Sequence, residues 1–223
     1  MVKFIGFIPA RMGSKRIPNK NLKLFRKKPL IFYSIYASKK SKYISETVVF
    51  SNSKKINIEA KKYDAVTSYK RPNKVSKNTT TMFGTIDYFV KKNNIQDNFD
   101  YLVLLQPTSP LRNTRDINKA CKMVLQNKKA DGLISTFFVK KVKKNHPNKF
   151  MIEKNNFLKE IDEKKASLRK EKLFLRNGPS IFIIKINCIK KNLYKNKLLN
   201  FIMPESRSID INTFNDLNKL RKI

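Results

Sequence analysis

The chain begins with an apolar run, Val2–Ala10, that does not alternate with polar residues and breaks at a basic loop containing Gly13. A run of this kind fits a strand covered on both faces, as in a parallel sheet. Comparable runs at Glu46–Ser51, Asp100–Gln106, Gly132–Val139 and Ser180–Ile186 predict further strands, and Ala65–Tyr69 reads as a weaker one. The stretches between them have helical spacing. Helices are expected at about Leu30–Lys40, Lys54–Tyr63 and Thr114–Asn127. Another is expected at Thr80–Asn93, where Met82, Ile86, Phe89 and Val90 share a face. The chain closes with Ser208–Asn212, read as a short strand, and a helix from about Thr213. Strands alternating with helices imply an α/β fold with a mostly parallel sheet and right-handed crossovers.

The pattern falters after Val139. Residues 140–172 are charged with little periodicity and read as an arm, a lid or a dimer element. Internal repeats and Gly/Ser linkers are absent from the sequence. A single domain over 1–223 with a flap at about 140–178 therefore fits better than two domains.

The 223 residues are 40% hydrophobic, with 16 Phe and 8 Tyr, which is enough for a sizeable core. No window of about 18 apolar residues exists, so no membrane span is expected. The first residues lack a basic region ahead of the apolar run and read as a buried strand, not a secretory signal. Cys121 and Cys188 have no metal-ligand spacing, and a reduced, cytoplasmic setting is the expectation.

The formal net charge is +34, from 50 basic against 16 acidic residues. Such a field could serve phosphate contacts in a nucleic-acid-binding protein. That class would want stacking aromatics on an exposed sheet face, whereas these aromatics sit mostly in apolar runs. The lysines are spread along the chain together with abundant Asn, Ile and Phe, as a biased composition would place them. Nucleic acid is therefore not the expected partner, although the field should attract small anions.

In open α/β sheets, ligands bind beyond the carboxyl ends of the strands. The first such end here is Ile8–Asn21. Its Gly13 permits a tight turn, and Arg11, Lys15, Arg16 and Lys20 surround it with positive charge. Backbone N–H groups and basic side chains in this arrangement suit a polyphosphate. The string is neither GxGxxG nor GxxxxGK[ST], which disfavours a dinucleotide fold and a Walker-type ATPase.

The string PARMGSKRIPNKN at Pro9–Asn21 resembles the acylneuraminate cytidylyltransferase (CMP-N-acetylneuraminic acid synthetase) family. LLQPTSPLR at Leu104–Arg112 is similar to a second segment of that family. Shorter likenesses follow in family order at Arg71-Pro72, Arg176-Asn177-Gly178 and Ser208–Asn212 with Asp216. The resemblance implies a three-layer nucleotidyltransferase fold and a homodimer in which the flap serves dimerisation. It also implies transfer of CMP from CTP to a nonulosonic, sialic-acid-like sugar acid with release of pyrophosphate, in surface-glycan biosynthesis, with Mg²⁺ as cofactor. Alternatives are a nucleotidyltransferase for another sugar acid and a degenerate, non-catalytic member.

By the same resemblance, Arg11, Ser14, Lys15 and Lys20 match the triphosphate loop, and Asn21 and Arg71 the cytosine-reading positions. Gln106, Arg169 and Asn177 match sugar-acid positions, and Asp210 a metal-binding carboxylate. Arg11, Lys15 and Asp210 are thus the expected catalytic residues. Where the family has a second metal carboxylate, this chain has Asn212, and amides also stand at Asn52 and Asn78 in place of acids. An amide offers Mg²⁺ a neutral oxygen and one negative charge fewer. His146, the sole histidine, is expected to be structural or solvated.

Overall fold

The computed structural model of the chain describes residues 1–14, 16–139, 150–162, 164, 172–178, 180–190 and 192–222. The elements run β1 (Phe4–Pro9), β2 (Leu24–Phe25), β3 (Lys28–Pro29), α1 (Leu30–Lys39), β4 (Ile44–Phe50), α2 (Lys54–Lys61), α3 (Met82–Lys92) and β5 (Tyr101–Leu104). They continue with α4 (Thr114–Gln126), β6 (Gly132–Val139), β7 (Phe150–Lys154), β8 (Phe157–Ile161), β9 (Leu173–Arg176), β10 (Phe182–Lys185), β11 (Leu198–Ile202) and α5 (Phe214–Arg221).

The main sheet has the order β4-β1-β5-β10-β6-β9-β7-β8, with β11 paired to β6. Strands β4, β1 and β5 are parallel, as are β6 and β11, while β10 runs antiparallel to both β5 and β6. Successive side chains of a strand point to opposite faces, and both faces of this sheet are covered. Phe4 and Ile8 of β1 pack with Ile31 and Ile35 of α1, Ile56 of α2 and Ile117 and Val124 of α4. Ile5 and Phe7 pack on the other face with Ile86, Phe89 and Val90 of α3. The result is a three-layer α/β/α fold whose strand ends open on one edge. Gly6 is required where α1 lies close: a Cβ there would collide with the Ser38 hydroxyl.

Strands β9 and β10 lie end to end against β6, since Arg176 pairs with Thr136 and Phe182 with Ile134. Asn177, Gly178, Ser180 and Ile181 lie between them, outside the ladder opposite Ser135. Ser135 N donates to Ile181 O at 2.8 Å, and Ile181 N donates back to Ser135 Oγ at 2.8 Å. This bulge brings Asn177 and Gly178 to the strand-end edge.

Two expected strands are corrected. Ala65–Tyr69 contributes a single bridge, Val66 to Val48 of β4, after Asp64 turns the chain with φ 55°. Ser208–Asn212 is not a strand. Of its backbone groups, Ile211 N reaches Thr108 O at 2.8 Å, and the rest has no ladder partner. In the expected flap, residues 140–149 and 165–171 lie outside the described residues, and with them His146 and Arg169. The described part is a β7–β8 hairpin followed by β9.

Candidate active site

The open edge carries a cavity of about 230 Å³ between the carboxyl ends of β1 and β5 and the start of α3. Its wall includes Arg11, Ser14, Lys20, Asn21, Arg71 and Gln106. These residues come from distant parts of the chain and meet because β1 and β5 are adjacent and parallel. A larger, shallower hollow of about 730 Å³ adjoins the cavity at Met82 and extends to Leu193 and Tyr194.

The loop after β1 is pinned by side chains. Asn19 adopts a left-handed conformation with φ 55°, which asparagine tolerates. Asn21 is nearly buried and its Nδ2 donates to Arg11 O at 3.0 Å, which fixes the direction of the amide. Met12 N donates to Asn52 Oδ1 at 3.4 Å, and Asn52 Nδ2 donates to Asn73 Oδ1 at 3.1 Å. Arg11 Nη1 reaches across to Asn78 Oδ1 at 2.6 Å and to Ser76 O at 3.4 Å. The loop is therefore tied to the Arg71–Thr80 segment.

Arg71 is buried. Its Nε and Nη2 both donate to Val75 O, at 3.2 and 2.7 Å, and Nη2 also reaches Thr85 Oγ1 at 3.3 Å. Burial, and then the Arg11 charge, push its guanidinium down to about 10. Lys20 Nζ donates to Ile211 O at 2.8 Å, joining the basic loop to the closing segment. Burial lowers the Lys20 pKa, with Asp210 pulling the other way and Arg11 and Arg16 adding to the drop.

Behind Gln106, the cavity wall is backed by the β9–β10 bulge. Asn177 is 0% exposed. Its Oδ1 accepts from Ser135 Oγ at 2.7 Å and Ser180 N at 3.1 Å, while its Nδ2 donates to Ser208 Oγ at 3.1 Å. The amide is engaged within the protein and shapes the turn. Gly178 has φ 104°, and a Cβ there would stand 2.8 Å from Asp210 Cγ. Gln106 Nε2 donates to Gly178 O at 2.9 Å, so the turn also orients Gln106.

Asp210 and Asn212 meet without a strand: Asn212 Nδ2 donates to Asp210 Oδ2 at 2.7 Å. Burial raises the Asp210 pKa, opposed by Thr108, Asn212 and Lys20. Thr108 Oγ1 lies near enough to exert that pull, yet both it and Asp210 Oδ1 are buried without a hydrogen bond of good geometry. The helix-capping carboxylate is Asp216. It accepts from Thr213 N at 2.8 Å and Asn212 N at 3.0 Å and closes a capping box with Thr213 at the start of α5.

The buried Asp210 Oδ1 and the amide oxygen of Asn212 are hard donors of the type Mg²⁺ accepts. No group of three His, Cys, Asp or Glu that could hold a metal occurs among the described residues. The chain thus offers a partial site that fits an ion bound mainly by phosphate and water.

Sequence reasoning gave no role to Arg112, although it lies in the quoted LLQPTSPLR run. It is buried beneath the site and donates to Gln106 O at 3.2 Å, to Ser180 O at 2.9 Å and to the Ser34 hydroxyl. An arginine closing an apolar, Pro-rich segment was the available signal. Lys15 lies outside the described residues.

A mixed α/β sheet with parallel core strands and a cation-rich cavity at their ends is the architecture of a nucleotide-binding protein of the nucleotidyltransferase type. The chain belongs to the cytidylyltransferase family, whose model matches residues 5–203. It is 29% identical over 224 residues to a pseudaminic acid cytidylyltransferase of Campylobacter jejuni, covering 97% of this chain and 94% of that one. It is 37% identical over 123 residues to a CMP-N,N'-diacetyllegionaminic acid synthase of Legionella pneumophila, covering 55% of this chain and 53% of the relative. The chain thus spans about half the length of that second relative. A solved CMP:2-keto-3-deoxy-manno-octonic acid synthetase complexed with CTP shares the fold, with TM-score 0.77, 14% identity and coverage of 99% and 97%.

Proposed function

We propose that this protein transfers CMP from CTP to a nonulosonic sugar acid. The oxygen of the sugar's anomeric hydroxyl attacks the α-phosphorus, the bond from that phosphorus to the β-phosphate oxygen breaks, and pyrophosphate leaves with the electron pair while the hydroxyl proton passes to solvent. The observation that carries this reading is the convergence of Arg11, Lys20, Asn21 and Arg71 on one cavity at the strand ends of a chain in the cytidylyltransferase family. Such a reaction asks the protein mostly for position and charge neutralisation.

In this reading Arg11, Ser14, Lys15 and Lys20 hold the triphosphate, and the oriented amide of Asn21 reads the cytosine edge. Arg71 fixes the Val75 turn beside the base. Gln106 faces the sugar acid, with Asn177 positioning Gln106 through the Gly178 carbonyl and Arg169 reaching the sugar carboxylate. The adjoining hollow has room for a nine-carbon sugar. Asp210, aided by Asn212, would hold Mg²⁺, which when bound neutralises phosphate charge. The single domain acts in the cytoplasm as a homodimer through the flap. Exposed Phe138 and Ile202 near the flap-bearing end of the sheet support a partner there. No helix among the described residues is long and apolar enough to cross a membrane.

The test is pyrophosphate release from CTP against a panel of nonulosonic acids, with the legionaminate and neuraminate types first. Turnover with CTP well above UTP and ATP is expected, because a site built to pair a base edge rejects a base that leaves its polar groups unmet. Equal turnover with UTP would contradict the assignment of Asn21.

A further inference from the structure

Three of the four cavity cations, Arg11, Lys20 and Arg71, share one feature: they are positioned by neutral oxygens. Arg11 donates to the Asn78 amide and the Ser76 carbonyl. Arg71 donates to the Val75 carbonyl and the Thr85 hydroxyl. Lys20 donates to the Ile211 carbonyl. Lys77 also stands on the wall, and no acidic side chain lines the cavity among the described residues. Asp210, whose charge acts on Lys20, does not line the cavity and accepts from Asn212 Nδ2 at 2.7 Å.

Neutral acceptors fix a cation's direction without cancelling its charge. An ion-paired cation has first to give up its partner, whereas Arg11 and Arg71 are oriented by neutral groups and Lys20 is only partly offset by the charge of Asp210. Burial sharpens the imbalance, since like charges in a partly desolvated site repel and are relieved by an anion. The amides are decisive. Asn78 stands where a carboxylate would pair with Arg11, and Asn52 holds Met12 N without adding a negative charge beside the loop.

We propose that this cavity anchors a polyphosphate in its metal-free form, as free CTP or as inorganic pyrophosphate, through the chain's own cations, so that the divalent ion serves the transfer step and not the binding step. The inference rests on the reading of this cavity as the CTP site. It carries a consequence for the reaction: released pyrophosphate competes with CTP for the same cations without needing a metal. A reaction that hydrolyses pyrophosphate is therefore the class that keeps this one running forward.

The experiment is titration calorimetry of the whole chain with CTP and with inorganic pyrophosphate, in EDTA and in Mg²⁺, at about 0.1 M salt where exposed charges are largely screened. The CTP dissociation constant should differ by less than about threefold between the two conditions, and pyrophosphate should bind in EDTA and be displaced by CTP. Asn78→Asp gives Arg11 a carboxylate partner and should weaken both ligands in EDTA by about tenfold or more. Asn78→Ala removes the amide without adding charge and should weaken them by less than about threefold. Tight CTP binding in Mg²⁺ that disappears in EDTA overturns the anchoring proposal and leaves the proposed function standing. Failure to bind CTP in either condition removes both. Unchanged EDTA affinities in a folded Asn78→Asp protein overturn the charge argument, and the wild-type comparison stands even if that variant does not fold.

Discussion

The amino-terminal half of the cavity, from β1 to β5, presents cations held by neutral oxygens. The closing half, residues 176–216, backs the cavity without lining it and presents a partly buried carboxyl wedged against a glycine and clamped by an amide. The first half grips through charge and tolerates small shifts, because Coulomb attraction falls slowly with distance. The second works through shape, because Gly178 leaves no room for a Cβ beside Asp210. Under the proposed reading, substrate binding belongs to the first half and transfer to the second. Substitutions in the two halves should then separate binding from turnover.

The largest separation is expected at Asp210. Asp210→Asn would leave two neutral amides side by side at the partial metal site. Turnover should fall by roughly 1,000-fold or more, while CTP affinity in EDTA changes by less than about threefold. If most activity survives, the closing half does not host the metal and the division of labour is broken.

Next in size is the loop. Arg11→Ala, and likewise Lys15→Ala, should lower kcat/KM by roughly 100-fold, with most of the loss also visible as weaker CTP binding. A loss under about threefold at both positions would move the triphosphate elsewhere.

Gly178→Ala probes shape. The new Cβ would press on the Asp210 carboxyl, and φ 104° is a conformation that side chains rarely adopt. The strain should cost about 1–3 kcal/mol of stability, read as a lower midpoint of thermal unfolding. It should also lower kcat by about tenfold or more, the effect of a misplaced catalytic group, with CTP affinity in EDTA unchanged. If CTP affinity falls along with kcat, the two halves are not separable.

The contrast between the halves also explains what the sequence revealed. β1, α1, β5 and α4 were legible because apolar runs end at clear punctuation: Pro9-Ala10 with the basic loop, and Pro107 with Pro110 before the Asn113 cap. The loop cations were legible with them, since a strand end in an open α/β sheet is where ligands bind. In the closing half only β10 and the last helix were legible, and the flap ahead of it was not. β7 and β8 are short and rich in Lys and Glu, so they carry little periodicity. Their signal was Asn155-Asn156, whose φ values of 51° and 66° make the two-residue turn of a tight hairpin. β11 is short and holds a buried Asn200, which breaks its apolar run. Asp210 and Asn212 meet in an irregular segment held by Thr108 and Asp216, where a short strand was expected. Asn177 resembled a ligand residue, and its engagement by Ser135, Ser180 and Ser208 depends on a bulge that no local pattern announces.

The smallest expected effect lies in the residue that departs from the family pattern. Asn212 Nδ2 donates to Asp210 Oδ2 at 2.7 Å, so Asn212→Asp removes a donor and sets two carboxylates against each other. Without a metal this repulsion should cost about 1 kcal/mol, because adjacent like charges at a partly exposed site lose a fraction of their attraction for water and gain none for each other. In a domain of this size, that lowers the unfolding midpoint by about 2–4 °C. Mg²⁺ should restore the midpoint, since a cation held by residues 210 and 212 would offset their repulsion. The concentration of Mg²⁺ giving half-maximal turnover should fall by about threefold to tenfold, while turnover at saturating Mg²⁺ stays within about threefold of wild type. The measurement pairs thermal melts in EDTA and in Mg²⁺ with turnover against Mg²⁺ concentration. If the midpoint falls and Mg²⁺ does not recover it, residue 212 lies outside the metal's reach and Asp210 acts without it. If wild type is inactive while Asn212→Asp turns over, the closing half of the natural chain binds substrate neighbours but does not complete the transfer.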